Sequence, residues 1–211
     1  NPYRYCNPER GEKELRSAAN LAASRRIAAE SYVLLKNDGD LLPLDGVKKV
    51  AVVGPLADSR ANMCGSWAKD AVTGEYNGLV ENLRKALGAG VEVVYARGCN
   101  LVDDEKYEYN FTSREINKRG DGKELLAEAL KVVNGADVII AAMGEAEAMS
   151  GEGASRAILE MPDCQKTLMD ALDATGIPVA MVLFTGRPLA LERQAAQADA
   201  VLNVWMGGSE A

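Results

Sequence analysis

The sequence predicts a three-layer α/β fold, a mostly parallel sheet with helices on both faces. Short β-branched runs bounded by glycine or proline alternate along the chain with longer segments of helical period. The runs are continuously apolar, as strands covered on both faces are. Strand, helix and strand in succession make crossover units, and each crossover returns right-handedly over the sheet.

Residues 12–35 place Leu15, Ala18, Ala19, Leu21, Ala22, Ile27, Ala28 and Val33 at helical spacing, which predicts one long amphipathic helix. It ends before the turn cluster Asn37-Asp38-Gly39-Asp40, after which Leu41-Leu42-Pro43-Leu44 packs on the way to the sheet. Residues 49–53 read as the first strand, stopped by Gly54-Pro55. Residues 56–77 have neither period and form a long loop holding Cys64-Gly65-Ser66-Trp67. Trp67 either offers a flat apolar face to a ligand or folds back over the core.

A helix over residues 78–87, closed by Gly88, and a strand over 91–96 complete a βαβ unit. Residues 100–122 are polar and aperiodic apart from Tyr107, Tyr109 and Phe111, and contain the glycosylation-type triplet Asn110-Phe111-Thr112. Then follow a helix over 123–133, a strand over 136–143, a helix over 161–172 opened by Pro162, a strand over 177–184, a helix over 189–197 and a last strand over 200–205. The ensemble is a flavodoxin-like α/β sandwich.

At 211 residues and 47% hydrophobic content the chain can bury a full core, and no apolar run reaches the roughly 20 residues a membrane span needs. A net charge of -7 without lysine or arginine clusters argues against nucleic acid, and no membrane partner is expected. Cys6, Cys64, Cys99 and Cys164 are far apart in sequence, with no C-x-x-C pair to mark zinc or a redox dithiol. There is no histidine. That removes Ser-His-Asp and Cys-His systems and histidine metal sites, leaving carboxylate, lysine, tyrosine or cysteine chemistry, and no metal or cofactor is expected.

The strand over 136–143 delivers the loop Gly144-Glu145-Ala146-Glu147-Ala148-Met149-Ser150-Gly151-Glu152-Gly153-Ala154-Ser155-Arg156 to the carboxyl edge of the sheet, where ligands of such folds gather. Three carboxylates close together, followed by an arginine, suit proton transfer as well as they suit a solvated acidic turn. Nucleotide binding is disfavoured. Gly151-Glu152-Gly153-Ala154-Ser155-Arg156 lacks the third glycine of the dinucleotide fingerprint, its glutamate would repel a pyrophosphate, and no phosphate-loop motif occurs.

Residues 28–44, with Glu30-Ser31-Tyr32-Val33-Leu34-Leu35-Lys36-Asn37, and then Val50-Ala51-Val52-Val53-Gly54-Pro55, resemble the region joining the two catalytic domains of family 3 glycoside hydrolases. The likeness continues through Cys64-Gly65-Ser66-Trp67, the 150–156 loop, Thr185-Gly186-Arg187-Pro188-Leu189 and Trp205-Met206-Gly207-Gly208. Among the subgroups of that family, the likeness is to periplasmic bacterial beta-glucosidases. The resemblance implies that residues 1–44 are inter-domain linker and long helix, and that residues 45–211 are an α/β sandwich stopping short of the family's next helix.

In that family a barrel domain supplies an aspartate nucleophile and the sandwich supplies the general acid/base of a retaining beta-glycosidase. Matched residue by residue, Glu152 becomes the acid/base, with Glu145 and Glu147 as lesser candidates. Trp67 becomes an aromatic wall for the substrate, and Arg156 and Glu145 order the loop. The implied substrate is a terminal beta-linked glucose. The implied partner is an N-terminal barrel of the same protein, the implied compartment periplasmic or secreted, and the isolated chain is expected to be inactive. The competing reading is a non-catalytic carbohydrate-binding or scaffolding α/β module.

Overall fold

The structure, a computed structural model, describes residues 1–68, 73–104 and 119–211. The aromatic residues Tyr107, Tyr109 and Phe111 and the triplet Asn110-Phe111-Thr112 lie outside the described residues. In chain order the elements are α1 (Pro8–Glu14), α2 (Ala18–Ser31), β1 (Val33–Asn37), β2 (Lys49–Val53), α3 (Leu79–Leu87), β3 (Glu92–Ala96), α4 (Gly122–Val133), β4 (Val138–Gly144), α5 (Asp163–Asp173), β5 (Val179–Phe184), α6 (Glu192–Gln197) and β6 (Ala200–Asn203).

The six described strands form one sheet in the order β1-β6-β5-β4-β2-β3. All neighbours pair in parallel except β1, which runs antiparallel to β6 at the edge. Strand period sorts the core into two layers. Ala51, Val53, Ile139, Ala141, Met143, Val179, Met181 and Val201 face α4, α5 and α6. Val50, Val52, Val138, Ile140, Ala142, Ala180, Val182 and Phe184 face α3 and the segment Leu41, Leu42 and Leu44. Asp137 accepts hydrogen bonds from the amides of Lys48 (2.7 Å) and Lys49 (2.8 Å), which hold its carboxyl below the usual range and pin the starts of β4 and β2 together.

The N-terminal region departs from the single helix expected over residues 12–35. Arg16 adopts a φ of 54°, and Ser17 starts a new helix by accepting from the amide of Asn20. The second helix stops at Ser31, and the residues after it pair as β1. Helical spacing was present, but only Ala28 of α2 is buried, while Leu15 and Ile27 remain 78% and 62% exposed. Within the described chain that apolar face meets no core, and β-pairing to β6 claims the apolar end of the segment, Val33, Leu34 and Leu35.

Chain order explains where ligands would approach. After β2 the chain passes through α3 on one face to β3 at the edge. It then returns through α4 on the opposite face to β4 on the other side of β2. The loops leaving β2 and β4 therefore diverge to opposite faces and open a crevice at the carboxyl edge. Glycines at both strand ends make the crowding there tolerable. Gly54 has a φ of 127° and a β-carbon on it would lie 2.1 Å from the Ala142 carbonyl oxygen; Gly144, at 126°, would meet the Phe184 oxygen at 1.8 Å. Gly144→Ala is therefore expected to cost about 3 kcal/mol, combining backbone strain with overpacking against β5. Urea unfolding would read this as a lower midpoint at unchanged slope, and Gly153→Ala, with a φ of 76° but open space around it, as a loss of only about 1 kcal/mol.

Candidate active site at the β2 and β4 carboxyl ends

Three loops converge at this crevice, following β2, β4 and β5. Ser150 and Gly151 lie between the other two. A β-carbon on Gly186 would fall 1.9 Å from the Ser150 hydroxyl, and one on Gly151 would fall 2.4 Å from the Ser66 hydroxyl and 4.0 Å from the Trp67 indole nitrogen. Glycine at 186 and 151 leaves room for these two serine side chains. The contact puts Glu152 next to the turn that carries Trp67. Trp67 is 64% exposed, so its ring does not fold back over the core.

The root of the β4 loop is fixed by a buried charge cluster. Glu145 is fully buried, and its Oε1 lies 2.7 Å from Arg156 Nη1 and 3.3 Å from Arg187 Nε. Its Oε2 accepts from the Thr185 hydroxyl at 2.8 Å, and its amide donates to the Phe184 carbonyl at 2.8 Å. The second carboxylate-facing arginine also reaches the loop backbone: Arg187 Nη2 donates to the carbonyls of Met149 and Ala154, the latter at 2.6 Å. Arg156 Nη2 donates to the Glu160 carbonyl at 2.9 Å. One buried anion thus anchors two cations, which together hold both ends of the 149–160 stretch.

Neutral groups complete the frame. Gln165, buried in the first turn of α5, straddles Gly144: its Oε1 accepts from the Gly144 amide at 2.8 Å and its Nε2 donates to the Gly144 carbonyl at 2.8 Å. Asn62 from the β2 loop accepts from the Glu147 amide at 2.8 Å and donates to Ser59 at 2.8 Å. At the loop exit Lys166 pairs with Glu160 and, at 3.0 Å, with Asp163, and these hydrogen bonds, Glu160's first, hold its ammonium above the usual lysine range.

The sequence-predicted residues therefore fall into two sets. Glu145 and Arg156 form an ion pair inside the loop root. Burial closes Glu145 to any substrate, whereas Glu152 is exposed at the tip, and its carboxylate makes no hydrogen bond or ion pair among the described residues. Glu147 is half-buried, with its backbone engaged by Asn62. Sequence reasoning gave no role to Arg187, Thr185, Gln165 or Asn62. Arg187 had a signal, since Gly186-Arg187-Pro188 lies one residue past the end of β5, the strand beside β4. The others are ordinary polar residues that only pairing across the sheet makes special.

Comparison with known proteins agrees with this architecture. Residues 32–211 match the glycosyl hydrolase family 3 C-terminal domain. A periplasmic beta-glucosidase of Salmonella typhimurium is 35% identical over 215 residues, covering 99% of this chain and 28% of the relative. A beta-xylosidase of Formosa agariphila is 32% identical, covering 88% of this chain and 24% of the relative. The crystal structure of a Listeria innocua beta-glucosidase in complex with isofagomine superposes with a TM-score of 0.78 at 29% identity, over 99% of this chain and 26% of that one. The chain spans about a quarter of the length of these relatives. By sequence and by fold, the chain belongs to glycosyl hydrolase family 3, as the C-terminal domain of its beta-glucosidase and beta-xylosidase-like enzymes.

Proposed function

We propose that this domain supplies the general acid/base, Glu152, of a retaining beta-glycosidase that removes terminal beta-linked glucose. The observation that carries the reading is the contrast within one loop. Its only fully buried carboxylate, Glu145, is spent on two arginines, while Glu152 stands exposed on a loop whose root those arginines hold. A rigid root with an exposed carboxylate at its tip suits a group that meets a substrate bound elsewhere.

In the reaction, the Glu152 carboxylic acid gives its proton to the departing glycosidic oxygen while an aspartate of a barrel domain attacks the anomeric carbon. The Glu152 carboxylate then takes a proton from the water that hydrolyses the glycosyl-enzyme. The two carboxyl groups would sit about 5–5.5 Å apart for this retaining course. Trp67, exposed beside the Glu152 turn, would offer its ring to the face of a sugar. Arg156 and Glu145 act as loop-ordering residues. Of residues 1–44, the stretch before β1 would link and orient the sandwich on the barrel, while β1 and Leu41, Leu42 and Leu44 belong to the sandwich itself, and the barrel would cover exposed apolar residues such as Ile158 at 68% and Leu15 at 78%. A periplasmic or secreted setting follows the Salmonella relative.

The division of labour has a direct test. The isolated 211-residue chain should show no turnover of an aryl beta-glucoside, and the full-length enzyme should turn it over robustly. Turnover by the isolated chain would overturn the shared site. A full-length protein that binds glucosides without hydrolysing them would favour a non-catalytic module.

A further inference from the structure

Cys99 and Cys164, 65 residues apart in sequence, are brought to one cavity by the fold. Cys99 follows β3 and is buried at 5% exposure, while Cys164 sits half-buried in the first turn of α5. Cys164 Sγ donates to the carbonyl of Asn100, the residue after Cys99, at 3.1 Å. Both line one cavity of about 370 Å³, together with Gly98, Asn100, Lys123 and Thr167. Neither cysteine is bonded in a disulfide.

The surroundings give the two thiols different characters. The Cys164 thiol and then burial push the Cys99 thiol up well above the usual range. The amides at the start of α5 are occupied by the Asp103 carboxylate, which accepts from Asp163 at 2.8 Å and Cys164 at 2.9 Å. Across the cavity the Asp121 carboxylate caps α4, and Lys123 supplies a cation. Thus Cys164 is the thiol with access to a reagent, and Cys99 is the one placed behind it.

We propose that Cys99 and Cys164 form a redox site that takes up a small-molecule disulfide such as oxidised glutathione and converts to an intramolecular disulfide joining the end of β3 to α5. The Cys164 thiolate attacks one glutathione sulfur, forming a mixed disulfide and releasing one glutathione thiolate. Cys99, giving up its proton, then attacks the Cys164 sulfur and releases the second glutathione. Two protein thiols and one glutathione disulfide become one protein disulfide and two glutathione thiols, with both protons carried by the released thiols. The crosslink would immobilise the α5 turn that holds Gln165, and through it the Gly144 backbone.

The experiment treats the protein with oxidised glutathione and maps its non-reduced tryptic digest. Joining of peptide 98–106 to peptide 157–166, with the loss of two hydrogens, is the expected product. Closing so long a loop should raise Tm by about 5–10 °C over the reduced protein. Cys99→Ser should stop at a stable glutathione adduct on Cys164, and Cys164→Ser should leave Cys99 unmodified. Separate glutathione adducts on both cysteines of the unsubstituted protein, or no crosslink at any glutathione ratio, would overturn the site. Equal modification of Cys99 in Cys164→Ser would overturn the assigned order of attack.

Discussion

Glu152→Ala in the full-length enzyme is expected to lower kcat by about 10² to 10⁴-fold on glucosides with poor leaving groups, the span general acid catalysis usually supplies. With an activated aryl leaving group the first step needs little proton assistance, and the loss moves to hydrolysis of the glycosyl-enzyme. Azide, which needs no general base, should then restore turnover and yield a glycosyl azide. Because Glu152 is exposed and makes no hydrogen bond or ion pair among the described residues, the same change should move stability by no more than about 0.5 kcal/mol, so lost activity cannot be unfolding. Equal losses on every substrate, with no response to azide, would remove Glu152 from the chemistry.

Seven residues earlier in the loop, the opposite pattern is expected. Glu145→Ala strips the shared counter-charge from Arg156 and Arg187, whose side chains are 17% and 19% exposed. Stranding charges this far from water typically costs about 3–5 kcal/mol. Denaturant unfolding should show that loss, and limited proteolysis should cut within residues 149–160, where the two arginines no longer hold the backbone. Glu145→Gln keeps the shape and one acceptor and should lose less. Activity would fall with either change, but without azide rescue and without the leaving-group dependence of Glu152→Ala. Stability within about 1 kcal/mol of the parent for Glu145→Ala would show that the arginines find other partners and that the cluster does not order the loop.

These two glutamates show how far a sequence can be read. Strands β2, β4 and β5 announced themselves, because residues buried on both faces of a parallel sheet must be apolar without interruption. Helices α3, α4 and α5 did so by their one-sided apolar period, and the acidic loop by its position after β4. The N-terminal segment misled because period alone implies burial only when something lies opposite, and α2 buries a single alanine. The charges of Glu145 and Glu152 are identical in the sequence. Only the fold makes one a buried anchor and leaves the other in solvent.

The amino-acid order by itself determined the layer architecture, the lack of histidine in this chain and the acidic loop after β4, since these follow from local period and residue type. Tertiary structure alone decided the rest: the reversal of strand order between β2 and β4, the meeting of Ser66 with Gly151 and of Arg187 with Glu145, and the placing of Cys99 and Cys164 on one cavity. Each joins residues more than 30 positions apart, and such pairs are set by which crossover packs on which face, a choice no local pattern encodes.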